Sequence, residues 1–184
     1  MKDVYLPLES QRRLVGLSRR ALAEFVLHLE RQSEQMGDPY LQSREFGAFV
    51  SLHKAEELRG CIGNCAPIAP LFETVTEMTE AAASRDHRVK PISGKELTEI
   101  RIDITVLSPL EAVEDPMMLE VGRHGLHIAC GGQRGVLLPQ VAPQYNWDVK
   151  TFLEQTCLKA GLRKHAWTEP NTRVSSFTAL IIEE

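Results

Sequence analysis

The sequence predicts an α+β fold, with an antiparallel-sheet core and about three helices. Three observations predict it. Apolar residues recur at helical spacing in three segments and alternate at strand spacing in several others. The strands fall as hairpin neighbours rather than as single strands alternating with helices.

The elements follow in order. Glu9 to Glu34 reads as an amphipathic helix, with Leu14, Leu17, Ala21, Leu22, Phe25 and Leu29 on one stripe. Ser10 is placed to cap its start, and Gly37-Asp38-Pro39 to end it. Phe46 to His53 reads as a strand, with Phe46, Ala48, Val50 and Leu52 on one face. After a polar turn, Leu58 to Asn64 forms the second arm of a hairpin. Pro67 to Ser84 is a helix with Ile68, Leu71, Val75, Met78 and Ala82 as its stripe, and Ala81-Ala82-Ala83 permits close packing. Glu99 to Leu107 alternates isoleucine and valine with Arg101, Asp103 and Thr105. A linker with Pro109 and Pro116 leads to strands at Gly125 to Cys130 and Gly135 to Leu138, turned by Gly131 to Arg134. Asp148 to Ala160 is a helix capped by Gly161, and Ser175 to Ile182 is a final strand.

A chain of 184 residues is expected to form one domain, residues 1–184, with room for two lobes on a shared core. At this length it buries enough surface to fold without a disulfide or metal staple. A net charge of −4 argues against a nucleic-acid partner, which asks for a basic domain. No apolar run approaches the roughly 20 residues needed to span a membrane, and the N-terminus lacks a signal-peptide core. Four irregularly spaced cysteines suit a reducing compartment, so a cytoplasmic location is expected.

The segment Leu58-Arg59-Gly60-Cys61-Ile62-Gly63 holds the strongest chemical signal. Gly60 and Gly63 flank a cysteine, and glycine inside a strand marks a bulge or a close approach by backbone or ligand. If the segment is extended, Arg59 and Cys61 share a face. A guanidinium there lowers a thiol pKa or grips an anion. The alternative is a small buried cysteine with glycines serving a bulge. Asp86-His87-Arg88 offers an acid, an imidazole and a guanidinium for proton transfer or anion binding, or else a solvated loop. His124, between Gly122 and Gly125, is a candidate base toward a thiol, or a turn residue. Gln140, at a strand exit, is a candidate donor to an oxyanion or substrate carbonyl. Cys61 and Cys65 are spaced C-x3-C, and none of the six histidines completes a zinc pattern, so neither a metal nor a cofactor is expected.

Together these runs resemble the AMMECR-type domain family, also described as AmmeMemoRadiSam system protein A. The matching stretches are Gly47-Ala48-Phe49-Val50-Ser51-Leu52, Leu58 to Gly63, Asp86-His87-Arg88-Val89, Glu96-Leu97, Ile104 to Ser108, Gly122 to Leu126, Leu137 to Val141 and Lys159-Ala160-Gly161-Leu162. They cover about residues 10–182 in the expected order. Val89 stands where the family usually has phenylalanine. The resemblance implies two lobes around a central cleft, with the hexapeptide near that cleft. It also implies association with a Memo-like protein and a radical SAM protein. It brings no reaction with it.

Two functions follow as expectations. The first is a binding or accessory module that holds a partner or small anionic ligand through Gly60, Gly63, Arg59, Arg88 and Gln140. The second is a thiol-dependent enzyme acting on a small anionic substrate. In it Cys61 is the nucleophile or redox thiol, Arg59 its activator, and Asp86 or His124 the proton carrier.

Overall fold

The computed structural model describes residues 2–32 and 35–184. The chain divides into two compact units: Tyr5–Leu107 with Leu180–Glu184, and Ser108–Ala179 with the N-terminal residues up to Val4. The fold is α+β, with two antiparallel sheets.

In the first of these units, helix α1 runs Leu8–Val26. It buries Leu14, Leu17, Ala21 and Leu22, as the stripe requires. It starts earlier than Ser10 predicts: Pro7 precedes the first turn, and Ser10 is buried within that turn instead of capping it. The helix also ends well before Gly37. His28 takes a left-handed backbone, φ 54°, and its N–H donates to the Phe25 carbonyl while Leu29 N–H donates to that of Glu24. This is a glycine-type stop made by histidine, so composition gives no sign of it. The last two residues of the expected helix, Ser33 and Glu34, lie outside the described residues.

Strands β1 (Gly47–Lys54) and β2 (Glu57–Asn64) form the expected hairpin, turned at Ala55 with φ 50°. Helix α2 spans Leu71–Ser84 and begins after Pro70, not at Pro67. Ile68 therefore lies outside the helix and is 82% exposed, while Leu71, Val75, Met78 and Ala82 are buried. Strand β3 is Ile100–Leu107. The sheet is ordered β2-β1-β3-β8, where β8 is Ala179–Glu183. Ala48, Val50, Leu52, Ile102, Ile104 and Val106 are fully buried, and α2 packs on β1 and β2.

Gly60 explains that packing. It pairs with Leu52, and a Cβ built there would lie 2.0 Å from the Ala82 carbonyl oxygen. The Ala81-Ala82-Ala83 run and Gly60 thus let helix and strand backbones approach closely. Gly63 pairs with Phe49, and its missing Cβ makes room for the Phe49 ring, 2.1 Å from the built position. Both glycines are accounted for by packing.

The other unit contains β4 (Glu111–Ala112), β5 (Gly125–Cys130), β6 (Gln133–Leu137), a one-turn helix α3 (Val141–Gln144), α4 (Val149–Lys159) and β7 (Arg173–Phe177). Its sheet is ordered β4-β7-β5-β6. The β5–β6 turn is tighter than expected, Gly131-Gly132 alone, with Gly131 at φ 58°. Asp148 caps α4 by accepting from Thr151 N–H, and Gly161 ends it at φ 75°. Leu126, Ile128, Phe152, Leu153 and Cys157 form its core. The expected final strand is two strands, β7 and β8, which join different sheets. Thr178 separates them: its N–H donates to Ser108 Oγ and its carbonyl accepts from Ser108 N–H, both at 3.0 Å.

Two glycine substitutions separate packing from propensity. Gly60→Ala drives a methyl into the Ala82 carbonyl and is expected to cost at least about 1–3 kcal/mol. Gly16→Ala, inside α1 with nothing within 4 Å, is expected to gain about 0.5–1 kcal/mol. Urea denaturation of the two variants checks both signs.

Candidate functional site

The register of the hairpin slips between Leu52 and His53: Leu52 pairs with Gly60 and His53 with Leu58, which leaves Arg59 unpaired as a β-bulge. The bulge breaks the strict alternation on which the expected shared face of Arg59 and Cys61 depends. The Arg59 side chain is instead held by Glu96, whose Oε1 accepts from Nε at 3.1 Å and Nη2 at 2.9 Å, and Nη1 donates to the Lys90 carbonyl at 3.3 Å. Glu96 belongs to a capping box. Its carboxyl is pushed down to about 2, first by the Ser93 backbone and hydroxyl and then by Arg59. No residue spacing signalled Glu96 as the partner of Arg59.

Strand β2 is an edge, and at Cys61 its backbone faces outward to the loop after α2. Cys61 N–H donates to Asp86 Oδ2 at 2.9 Å, and Arg88 Nη2 donates to the Cys61 carbonyl at 3.2 Å. A carboxylate and a guanidinium thus take the places that a neighbouring strand would fill. Asp86 is buried and accepts four N–H groups: that of Cys61, and the backbone N–H, Nε and Nη2 of Arg88. The Arg88 side chain beside it holds the Asp86 carboxyl well below the usual carboxylate range, against the opposing effect of burial. The guanidinium of Arg88 is raised in turn by Asp86. Asp86 is therefore a fixed anion near neutral pH, which is unsuited to the proton-carrier role. Arg88 keeps 64% of its side chain exposed, and His87 is exposed beside it.

Cys61 pairs with Ser51 across the hairpin, and Ser51 Oγ donates to Cys61 Sγ at 3.2 Å. Ser51 also pairs with Asp103 of β3. Strand alternation puts Phe49, Ser51 and His53 on the sheet face opposite Ala48, Val50 and Leu52. Across that face Cys61, Ser51 and Asp103 form one row. His53 Nδ1 stands 3.0 Å and Arg101 Nη2 3.3 Å from Asp103 Oδ2, while Asp103 Oδ1 is buried with no hydrogen-bond partner. Sequence reasoning missed Ser51, His53 and Asp103 as neighbours of the thiol. Their signal was present as the polar alternates of two strands, but only the pairing order brings them together.

His124 and Gln140 belong to the other unit. His124 Nδ1 accepts the Glu120 backbone N–H at 3.0 Å, which fixes the neutral imidazole with its proton on Nε2. Burial, the largest cause, pushes its pKa down. With its lone pair engaged, His124 as placed is a donor rather than the expected base. Gln140 stands at the start of α3, and its Oε1 is buried with no partner. Among the described residues no three His, Cys, Asp or Glu side chains converge as metal ligands, and no helix is long and apolar enough to cross a membrane.

Acid is expected to loosen the β2 edge. The folded state lowers both carboxyl pKa values. Their stabilisation is fully present above the ordinary values, 3.8 for Asp86 and 4.5 for Glu96. It is lost as the pH falls through the folded ones, about 2 for Glu96 and lower still for Asp86. Urea unfolding at stepped acid pH should show stability falling through this window. Asp86→Ala should lose about 1–3 kcal/mol at neutral pH and show a shallower acid slope.

The family model described as AMMECR1 matches residues 15–182. Protein TK0174 of Thermococcus kodakarensis is 41% identical over 181 residues, covering 93% of this chain and 88% of its own. A protein of Methanothermobacter thermautotrophicus is 38% identical over 100% of this chain and 99% of its own. The crystal structure of the uncharacterized protein PH0010 from Pyrococcus horikoshii is similar at a TM-score of 0.86, with 35% identity over 98% of this chain and 92% of that one. With the family pattern matched along nearly the whole length and the relatives covered almost end to end, the chain belongs to the AMMECR1 family.

Proposed function

We propose that this chain is a cytoplasmic binding or accessory module that works with a Memo-like protein and a radical SAM protein. It would engage them, or a small anionic ligand, through the surface formed by Cys61, His87 and Arg88. The observation that carries this reading is the commitment of the charged groups around Cys61. Arg59 is paired with Glu96, and Asp86 is saturated by the Cys61 N–H and Arg88. Neither of these charged groups is free to activate the thiol or to move protons, which suits recognition better than turnover. Arg88 retains an exposed guanidinium for a carboxylate or phosphate. The choice of partners rests on the family resemblance.

A specific observation favours thiol chemistry as the second reading. Ser51 Oγ contacts Cys61 Sγ, and His53 with Asp103 lies on the same sheet face. If the thiol reacts, these residues and Arg88 are its polar company, in place of Arg59 and His124.

Affinity capture with the two partners separates the readings. The module reading expects wild type and Cys61→Ser to retain the partners, and Arg88→Ala to weaken capture about tenfold. Loss of capture in Cys61→Ser with Arg88→Ala unaffected would favour the thiol. Absence of capture by wild type would sink the partner assignment. Iodoacetamide labelling of Cys61 across pH gives an independent reading: under the thiol alternative, Ser51→Ala and His53→Ala shift the rate profile, and under the module reading they leave it unchanged.

A further inference from the structure

The first unit's sheet ends in two edge strands that are treated differently. The β2 edge is closed by Asp86 and Arg88. Beyond β8 no further strand follows among the described residues. Beside β8 lies an open groove lined by Leu8, Arg12 and Val15 of α1 and by Ile181, Ile182 and Glu183. Leu8 is 60% and Ile181 45% exposed, although both are large and apolar. Arg12 and Glu183 are exposed in the same groove, and no ion pair engages either of them among the described residues.

We propose that β8 and this groove are an interface between two copies of the chain. An apolar edge strand is a template for another strand. The charges select the occupant. One groove carries both a free cation and a free anion, so a two-fold axis across β8 sets Arg12 of each copy toward Glu183 of the other, and a single contact satisfies both. Antiparallel pairing of the two β8 strands joins the two four-stranded sheets into one continuous sheet and covers Leu8 and Ile181. Ile182 already faces the interior, 5% exposed, so pairing through the backbone edge disturbs no core contact.

Sedimentation velocity on the full chain, from low to high micromolar concentration, tests the interface, with thermal melts recording that each variant folds. Wild type should dimerise within this range. Ile181→Lys should leave a monomer. Arg12→Glu and Glu183→Arg should each weaken the dimer about tenfold, and the double reversal should restore it. A wild type that stays monomeric throughout overturns the proposal. So does a dimer unaffected by Ile181→Lys, which would place the interface elsewhere. A double reversal no tighter than the single ones overturns the assigned charge pairing.

Discussion

The hydrogen bond from Cys61 N–H to the buried carboxylate of Asp86 is the constraint on which the first unit's site depends. An edge strand needs its outward N–H and carbonyl groups satisfied or screened, and here two side chains of one loop supply a complementary acceptor and donor. Asp86 directly follows α2, so the bond also ties that helix to β2 at the point where Gly60 admits the Ala82 carbonyl. The outward turn of the Cys61 backbone makes Cys61 and Ser51 a non-hydrogen-bonded pair. In antiparallel sheets such pairs bring their side chains closest, which accounts for the 3.2 Å contact between Ser51 Oγ and Cys61 Sγ. Loop, helix, strand and thiol are thus positioned by one ionised carboxylate.

That economy limits the chemistry. Each carboxylate that could serve Cys61 as a proton carrier through sequence proximity or loop position is occupied. Asp86 is paired with Arg88, and Glu96 is paired with Arg59 and hydrogen-bonded by Ser93. Hydrogen-bonded ion pairs of this kind exchange protons poorly, because both partners favour their charged forms. The polar groups with uncommitted capacity lie on the sheet face instead. They are the thiol, the Asp103 Oδ1 atom and the imidazole of His53.

The α+β class, the hairpin at residues 47–64, the packing run Ala81-Ala82-Ala83 and the cap at Gly161 were legible, because each follows from local periodicity or from a residue with a restricted backbone. What was not legible depended on contacts distant in sequence or on unusual users of a common geometry. His28 ends α1 in a conformation usually given to glycine, so the expected helix runs past the observed end at Val26. Thr178 divides one apolar run between two sheets through bonds to Ser108, seventy positions earlier. The placement of Arg59 beside the thiol rests on strict alternation, which a single bulge interrupts. The company of Cys61 was hidden for the same reason. Ser51, His53 and Asp103 were visible as polar alternates, but their adjacency exists only through the β2-β1-β3 order.

The hexapeptide can now be read position by position. Leu58 pairs with His53, Arg59 forms the bulge and anchors the Lys90–Glu96 loop, and Gly60 admits α2. Ile62 pairs with Val50, and Gly63 makes room for the Phe49 ring. Five of the six residues are therefore explained by folding alone. Cys61 differs, because its structural duty is carried by backbone groups that any residue would supply. Its side chain accepts from a serine hydroxyl on a polar sheet face and lies within reach of the Arg88 guanidinium. A buried cysteine serving as a small apolar filler would be surrounded by apolar atoms, as Cys157 is in the core of the other unit. The contrast between these two cysteines locates whatever is functional in the segment at the Cys61 thiol and the neighbouring exposed Arg88, rather than in the glycines that first drew attention to it.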